Sequence, residues 1–376
     1  MHSGKYKKSL LICLSFFMLL SCSWGKNKNN NDSAGANGAV YEILAAGLQA
    51  DTVESAPVMA IYEGELLNIF FHPLVARPEI AFKGSMKKHF LDWFVTAEEF
   101  RKILNELYTN NYVLINIDEL YEVTYTNGVK KITDQKLMVP EGKKPIVISI
   151  DDLCYYEHMR ENGCVHKLVV DEKGGIAAWT DNADGGELSY DKDIVTILES
   201  FIKEHPNFSL RGAKAIIALT GYEGVLGYKT DEPDLPGYKE EVEKATAVVN
   251  RLKEMGWRFA SHSWGHLNLP KVPMSWFTND NRLWERQVKP IMGDTDLYIY
   301  PFGAGLESQE DKHKILRDKG FNLFFGVGGG HGHSVRPGYI YLTRRNIDGV
   351  YFNLFKDRND GIFDVNKVVD KESRGL

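Results

Sequence analysis

Pro145-Ile146-Val147-Ile148-Ser149-Ile150-Asp151-Asp152 is the stretch from which the fold is read. Four of its first six residues are β-branched, the composition of a strand buried on both faces. Two carboxylates follow at once. The pattern recurs along the chain: an apolar run at 67–71 ends in His72, one at 257–261 in His262, and one at 297–300 in Pro301-Phe302-Gly303. Further strands are expected at 112–117, 213–220, 321–325 and 339–342. Between the strands lie helical segments. Thr96-Ala97-Glu98-Glu99 is a capping box that sets Phe100, Ile103, Leu104 and Leu107 on one face, and the amphipathic segment 238–255 stops at Gly256. Strand-helix alternation specifies α/β with a parallel sheet, and about seven or eight units specify a (β/α) barrel. The carboxyl ends of barrel strands converge on one face, so four polar motifs at four strand ends are expected to meet there. A hairpin turning at Lys173-Gly174-Gly175 reads as an insertion near 160–185.

Composition narrows the possibilities. The 376 residues carry a formal charge of −6, with 43% hydrophobic and 26% charged residues. That is ordinary for a globular chain, and nucleic acid is excluded as an expected partner for want of clustered Lys and Arg. There is no internal repeat, so residues 56–376 are expected to form one catalytic domain.

The first 55 residues read differently. Lys5, Lys7 and Lys8 precede an apolar run, 10–20, that is too short to span a bilayer. The tetrapeptide Leu19-Leu20-Ser21-Cys22 resembles a bacterial lipobox. Residues 1–21 are therefore expected to be a lipoprotein signal peptide, with Cys22 the lipidated residue that anchors the protein to a membrane. Residues 22–55, rich in Asn, Gly, Ser and Lys near their start, are then a flexible linker. The expected location is outside the cell, at its membrane or surface. Cys154 and Cys164 could pair there, but a core of this size needs no staple, and free thiols are expected.

Two histidines four apart, His262 and His266, with the carboxylate of Asp152, make a three-ligand set that leaves positions open on a cation. Zinc is the chemical default, with cobalt or nickel as substitutes. Asp151, one residue from a ligand, is placed to act as general base for hydrolysis.

Ser149-Ile150-Asp151-Asp152, His262-Ser263-Trp264-Gly265-His266 and Tyr300-Pro301-Phe302-Gly303 resemble the first three motifs of the polysaccharide deacetylase domain (NodB homology, carbohydrate esterase family 4). The resemblance covers roughly residues 56–350. It implies a distorted (β/α) barrel of about seven units and removal of N- or O-acetyl groups from glycans. Position by position, it implies that Asp151 is the base, that Asp152, His262 and His266 hold the metal, and that the Phe302 amide is an oxyanion donor. Trp264, Pro301 and Tyr155 are expected to border the substrate.

The chain also departs from that pattern. Tyr298-Ile299-Tyr300 stands where the family's third motif carries an arginine, and no Asp-Xaa-Xaa-Asp-Trp or Leu-Xaa-His motif follows. A permuted subgroup, the poly-N-acetylglucosamine deacetylases, carries its catalytic histidine ahead of the paired aspartates. Phe70-Phe71-His72-Pro73-Leu74-Val75 resembles that element, which makes His72 the expected general acid. Arg344 and Arg345, after a late strand, are candidates to replace the missing arginine. His331 and His333, in a glycine-rich loop, are candidates for a further acid or ligand. The resulting expectation is a metal-dependent deacetylase acting on an N-acetylated glycan, peptidoglycan or exopolysaccharide. The alternatives are an inactive glycan-binding lipoprotein and an O-acetyl esterase using the same metal site.

Overall fold

The computed structural model describes residues 57–358 and 360–376. The chain divides into residues 1–56 and a compact unit, Pro57–Leu376. The segments expected to be a signal peptide and a linker, with Cys22, thus lie outside the described residues.

Seven parallel strands close into a barrel: β1 (Leu67–Phe71), β2 (Lys144–Ile150), β3 (Ile216–Leu219), β4 (Arg258–Ser261), β5 (Leu297–Ile299), β6 (Leu323–Val327) and β7 (Tyr339–Asn346). The ring runs β1-β2-β3-β4-β5-β6-β7 and back to β1. Its register is uneven. β1 and β2 pair over five residues and β6 and β7 over five, whereas β4 meets β5 only at Ser261 and Tyr298, and β7 meets β1 at two positions. The barrel is therefore distorted: the strand that ends in the paired aspartates is laddered over five residues to β1 but over only two to β3.

Strand alternation sorts the side chains. Val147, Ala218, Ala260, Ile299, Phe325 and Leu342 belong to one buried cluster, inside the ring. Their neighbours Ile148, Ile150, Ile217, Leu219, Phe259 and Phe324 belong to a second cluster, under the surrounding helices. Following the inward parity to the strand ends gives Asp151 after Val147 and Ser149, His262 after Ala260, Thr220 after Ala218 and Arg344 after Leu342. The inward parity of β1 likewise continues through Asn68 and Phe70 to His72.

The outer helices follow from local chemistry. In α1 (Ala97–Thr109), Thr96 Oγ1 accepts the Glu99 N–H at 3.1 Å and Glu99 returns the favour to the Thr96 N–H at 2.8 Å, the expected capping box. In α2 (Ile194–Glu204), Asp193 caps through the Val195 N–H at 2.9 Å. The amphipathic α3 spans Tyr238–Glu254, and α4 spans Met274–Gln287.

Two sequence expectations need adjustment, and one element was not anticipated. The run at 112–117 gives only a short strand, Tyr112–Leu114, which pairs with the N-terminal end of β2 at Lys144–Ile146, ahead of the positions Ser149 and Ile150 where β3 closes the ring. The insertion is a three-stranded antiparallel sheet, Lys167–Val170, Ile176–Thr180 and Glu187–Ser189, reaching past the expected 185. A second hairpin, Tyr121–Thr126 with Val129–Asp134, turns at Asn127-Gly128, a dipeptide whose preference for positive φ marks such turns in sequence. Cys154 and Cys164 are buried free thiols, as expected.

Candidate metal centre and active site

The strand-end residues do meet. Ligand atoms of Asp152, His262 and His266 all lie within 4.8 Å of one another, the one such group of His, Cys, Asp or Glu among the described residues. Asp152 Oδ2 is 3.6 Å from His266 Nε2, and the two imidazole centroids are 5.0 Å apart. His262 Nδ1 donates to the Ile299 carbonyl at 2.7 Å. A carbonyl only accepts, so that bond fixes the tautomer and leaves Nε2 as the bare nitrogen a cation needs. Burial lowers the pKa of His266 and favours the neutral, ligating form, despite the nearby carboxylate of Asp152. The donor set therefore fits a divalent cation of the zinc type.

Backbone strain concentrates here. Asp152, Ser263, His266 and Phe302 all have φ between 48° and 59°, in the left-handed region that costs a non-glycine residue on the order of 1 kcal/mol or more. The turn carrying both histidines is held by Asp280 of α4, whose carboxylate accepts the N–H groups of Trp264 at 3.0 Å and Gly265 at 2.7 Å. Trp264 is half-buried. Its indole N–H reaches Gln287 at 2.6 Å, and its ring lies over Gly221, where a β-carbon would come within 2.1 Å of it.

Asp151 sits beside the triad and is gripped from below. Arg344, 1% exposed, donates Nη1 to Asp151 Oδ1 at 2.6 Å and Nη2 to Oδ2 at 2.9 Å, and Nη1 also reaches Ser149 Oγ at 2.9 Å. Its guanidinium lies 4.3 Å from the Phe70 ring centroid. Burial by itself would raise the Asp151 pKa, but Arg344 and the nearby imidazoles outweigh it and hold the carboxyl below its usual range. Of the two candidate arginines, Arg344 is the one that pairs with Asp151. Arg345 is spent elsewhere, on the Gly329 carbonyl and Asp360. His333 pairs with Asp134 of the second hairpin at 3.0 Å rather than joining the triad, and His331 lies exposed.

His72 follows β1, the strand paired with the one that ends in Asp151 and Asp152. Its Nδ1 donates to the Trp93 carbonyl at 3.0 Å, so Nε2 is the free ring nitrogen. It is close enough to Asp151, Asp152 and the buried Asp348 to act on the charge of all three. Phe302 projects into solvent, 65% exposed, with its ring 4.5 Å from that of His266.

Two expected substrate contacts fail. Tyr155 is 1% exposed, and its hydroxyl donates to Asp193 at 2.8 Å, inside the core. Pro301 is buried as well and shapes the turn beneath Phe302. The tyrosine that reaches the site is Tyr156, which donates to Asp152 Oδ1 at 2.7 Å and shares a bond with Thr220 Oγ1. Strand parity misses it because Asp152 and Tyr155 both have positive φ, which turns the chain out of period 2.

The protein is thus a seven-stranded (β/α) barrel with a two-histidine, one-carboxylate centre and a second, arginine-held carboxylate at its strand ends. No family model matches the sequence, and no curated protein does. Among solved structures it is similar to PplD, a deacetylase of Streptococcus pyogenes in complex with acetate, with 13% identity and a TM-score of 0.44 over 78% of this chain and 94% of that one. It is also similar to BC0361, a polysaccharide deacetylase from Bacillus cereus, with 13% identity and a TM-score of 0.40 over 77% and 68% of the two chains. These likenesses concern the backbone; the functional reading rests on the side chains.

Proposed function

We propose that this protein is a metal-dependent deacetylase that removes N-acetyl groups from a glycan outside the cell, either peptidoglycan or an exported polysaccharide. The observation that carries the reading is the Arg344-held Asp151 carboxylate beside the convergent Asp152, His262 and His266. A divalent cation on those three ligands would supply Lewis acidity, acidifying a water and polarising the acetyl carbonyl.

The chain's own residues account for the remaining steps. Asp151, kept ionised by Arg344, takes the proton of the attacking water. The Phe302 amide, on the strained turn beside His266, stabilises the developing oxyanion. The tetrahedral intermediate collapses forward only if nitrogen leaves as a neutral amine. His72 is the group that can deliver that proton, from Nε2 once Nδ1–H is committed to Trp93. Tyr156 fixes the Asp152 carboxylate by taking one of its oxygens. In this reading the polypeptide is exported and tethered through lipid on Cys22.

The test is acetate release from N-acetylglucosamine oligomers by the protein reconstituted with zinc or cobalt, beside Asp151→Asn. Metal-dependent release that vanishes in the variant supports the reading. Release that survives Asp151→Asn, or no release from any N-acetylated glycan with one metal bound per chain, overturns it.

A further inference from the structure

Arg374 shares no bond with the triad, yet its bonds converge on the segment that holds His72. The short helix Lys87–Trp93 ends in carbonyls that have no partner within the helix. Arg374 Nη1 donates to the Leu91 carbonyl at 3.0 Å, and Nη2 donates to the Phe94 carbonyl at 2.8 Å. Between those two residues lies Trp93, whose carbonyl is the acceptor of His72 Nδ1. The carbonyl that selects the His72 tautomer is thus flanked on both sides by carbonyls clamped to one guanidinium.

The clamp itself is rigid. Arg374 is 5% exposed, and Nε and Nη2 fork onto the two oxygens of Glu99 at 2.6 and 2.8 Å. Glu99 is fully buried, and the same carboxylate closes the capping box on Thr96 and accepts the Asp370 N–H at 3.0 Å. The guanidinium lies 5.3 Å from the Phe82 ring and 5.0 Å from the Phe352 ring. Gly349 admits the close approach from the other side: a β-carbon there would stand 1.7 Å from the Leu91 carbonyl oxygen and 3.0 Å from Arg374 Nη1. Arg374 shares no bond with Asp151, Asp152 or the metal-site histidines. The same guanidinium that would ordinarily serve stability is therefore placed to act on one catalytic group only.

We propose that Arg374 is a positioning residue for His72: by fixing the 91–94 carbonyls it holds the imidazole as the Nδ1–H tautomer, with Nε2 directed to the leaving group. The proposal rests on the deacetylase reading, in which His72 is the general acid. It predicts a selective defect. Expelling an amine needs an acid, whereas expelling a phenolate does not. A misplaced acid therefore costs N-deacetylation and spares hydrolysis of an aryl acetate, and displacements of about 1 Å at such sites cost up to about a hundredfold.

The experiment compares the zinc-loaded full-length protein with Arg374→Lys, and with Arg374→Met/Glu99→Gln, in which no buried charge is left unpaired. Two readouts are taken. The first is the ratio of acetate release from N-acetylglucosamine oligomers to hydrolysis of an aryl acetate. The second is the imidazole 15N spectrum of histidine-labelled protein, with the His72 signal assigned by its loss in His72→Gln. A drop in the ratio of roughly tenfold to a hundredfold, together with a shift of the His72 signal away from a single Nδ1–H tautomer, supports the proposal. An unchanged ratio, or equal loss on both substrates with the His72 signal unaltered, overturns it. Should the wild-type protein release no acetate, the deacetylase reading fails by itself. The spectrum then decides alone: an unaltered His72 signal in the variant that folds removes the positioning role, and an altered one retains it.

Discussion

Replacing Arg344 by Met tests the most connected charge in the site. The guanidinium is 1% exposed and makes three bonds, two to Asp151 and one to Ser149. Removing it leaves a buried carboxylate unpaired, which costs about 3–5 kcal/mol. The compact unit runs from Pro57 to Leu376, and at about 2.1 cal/mol/K per residue its unfolding entropy is on the order of 0.7 kcal/mol/K. The expected fall in Tm is therefore about 4–7 °C, read by calorimetry of the metal-free protein. Burial would then act on Asp151 without its main opposing charge, so its pKa rises and the acidic limb of the pH–rate profile moves to higher pH. The double variant Asp151→Asn/Arg344→Met removes both charges and should melt above Arg344→Met, because no unpaired ion remains. A Tm change below about 1 °C in Arg344→Met, or a double variant less stable than either single one, would refute the argument that the pair is a buried, mutually dependent unit.

Chelation should lower Tm, with restoration by zinc: a ligand at a thousand times its Kd contributes about 4 kcal/mol, and His266→Ala should abolish the increment because one of three ligands is gone. Asp193 is buried, and desolvation pushes its pKa up to about 6, above the unfolded value near 4. The folded state then binds the extra proton, so its contribution is present below about pH 4 and is lost as pH rises through 6, a change of about 3 kcal/mol for two pKa units. Asp193→Asn keeps an acceptor for the Val195 N–H, and chemical denaturation at pH 4 and pH 7 should show the wild type losing stability relative to the variant. An unchanged difference between the two pH values would disprove the burial argument. Cys154 and Cys164 are both buried with their thiol pKa values raised, Cys154 to about 12, by burial first of all. Neither should react with a disulfide reagent in the folded protein, and both should react in denaturant. Rapid labelling of either in the native state would contradict that burial.

The sequence by itself determined the barrel and most of its site, because both follow from local pattern. The β-branched run 145–150 ends in charge, and period-2 alternation carries Asp151, His262 and Arg344 to the interior of the strand ends whatever the rest of the chain does. The capping box at Thr96 and Glu99 is likewise a four-residue property, realised as written. The spacing of His262 and His266 was legible for the same reason.

Only the tertiary structure decided the partners. Arg344 lies 193 residues from Asp151: parity turns it inward and Arg345 outward, to a loop carbonyl and Asp360, but no local pattern names the carboxylate that Arg344 meets. Tyr155 and Tyr156 exchanged roles because two left-handed residues, Asp152 and Tyr155, rotate the chain after the strand, and parity ends where regular φ ends. The run 112–117 has the composition of a barrel strand but pairs only with the N-terminal end of β2, since apolar composition reports burial and not the neighbour against which a strand is buried. The tie from Arg374 through the 91–94 carbonyls to His72 spans some 300 residues and runs through backbone oxygens, which every residue carries. No residue type marks such an acceptor; folding alone decides which carbonyl meets which donor.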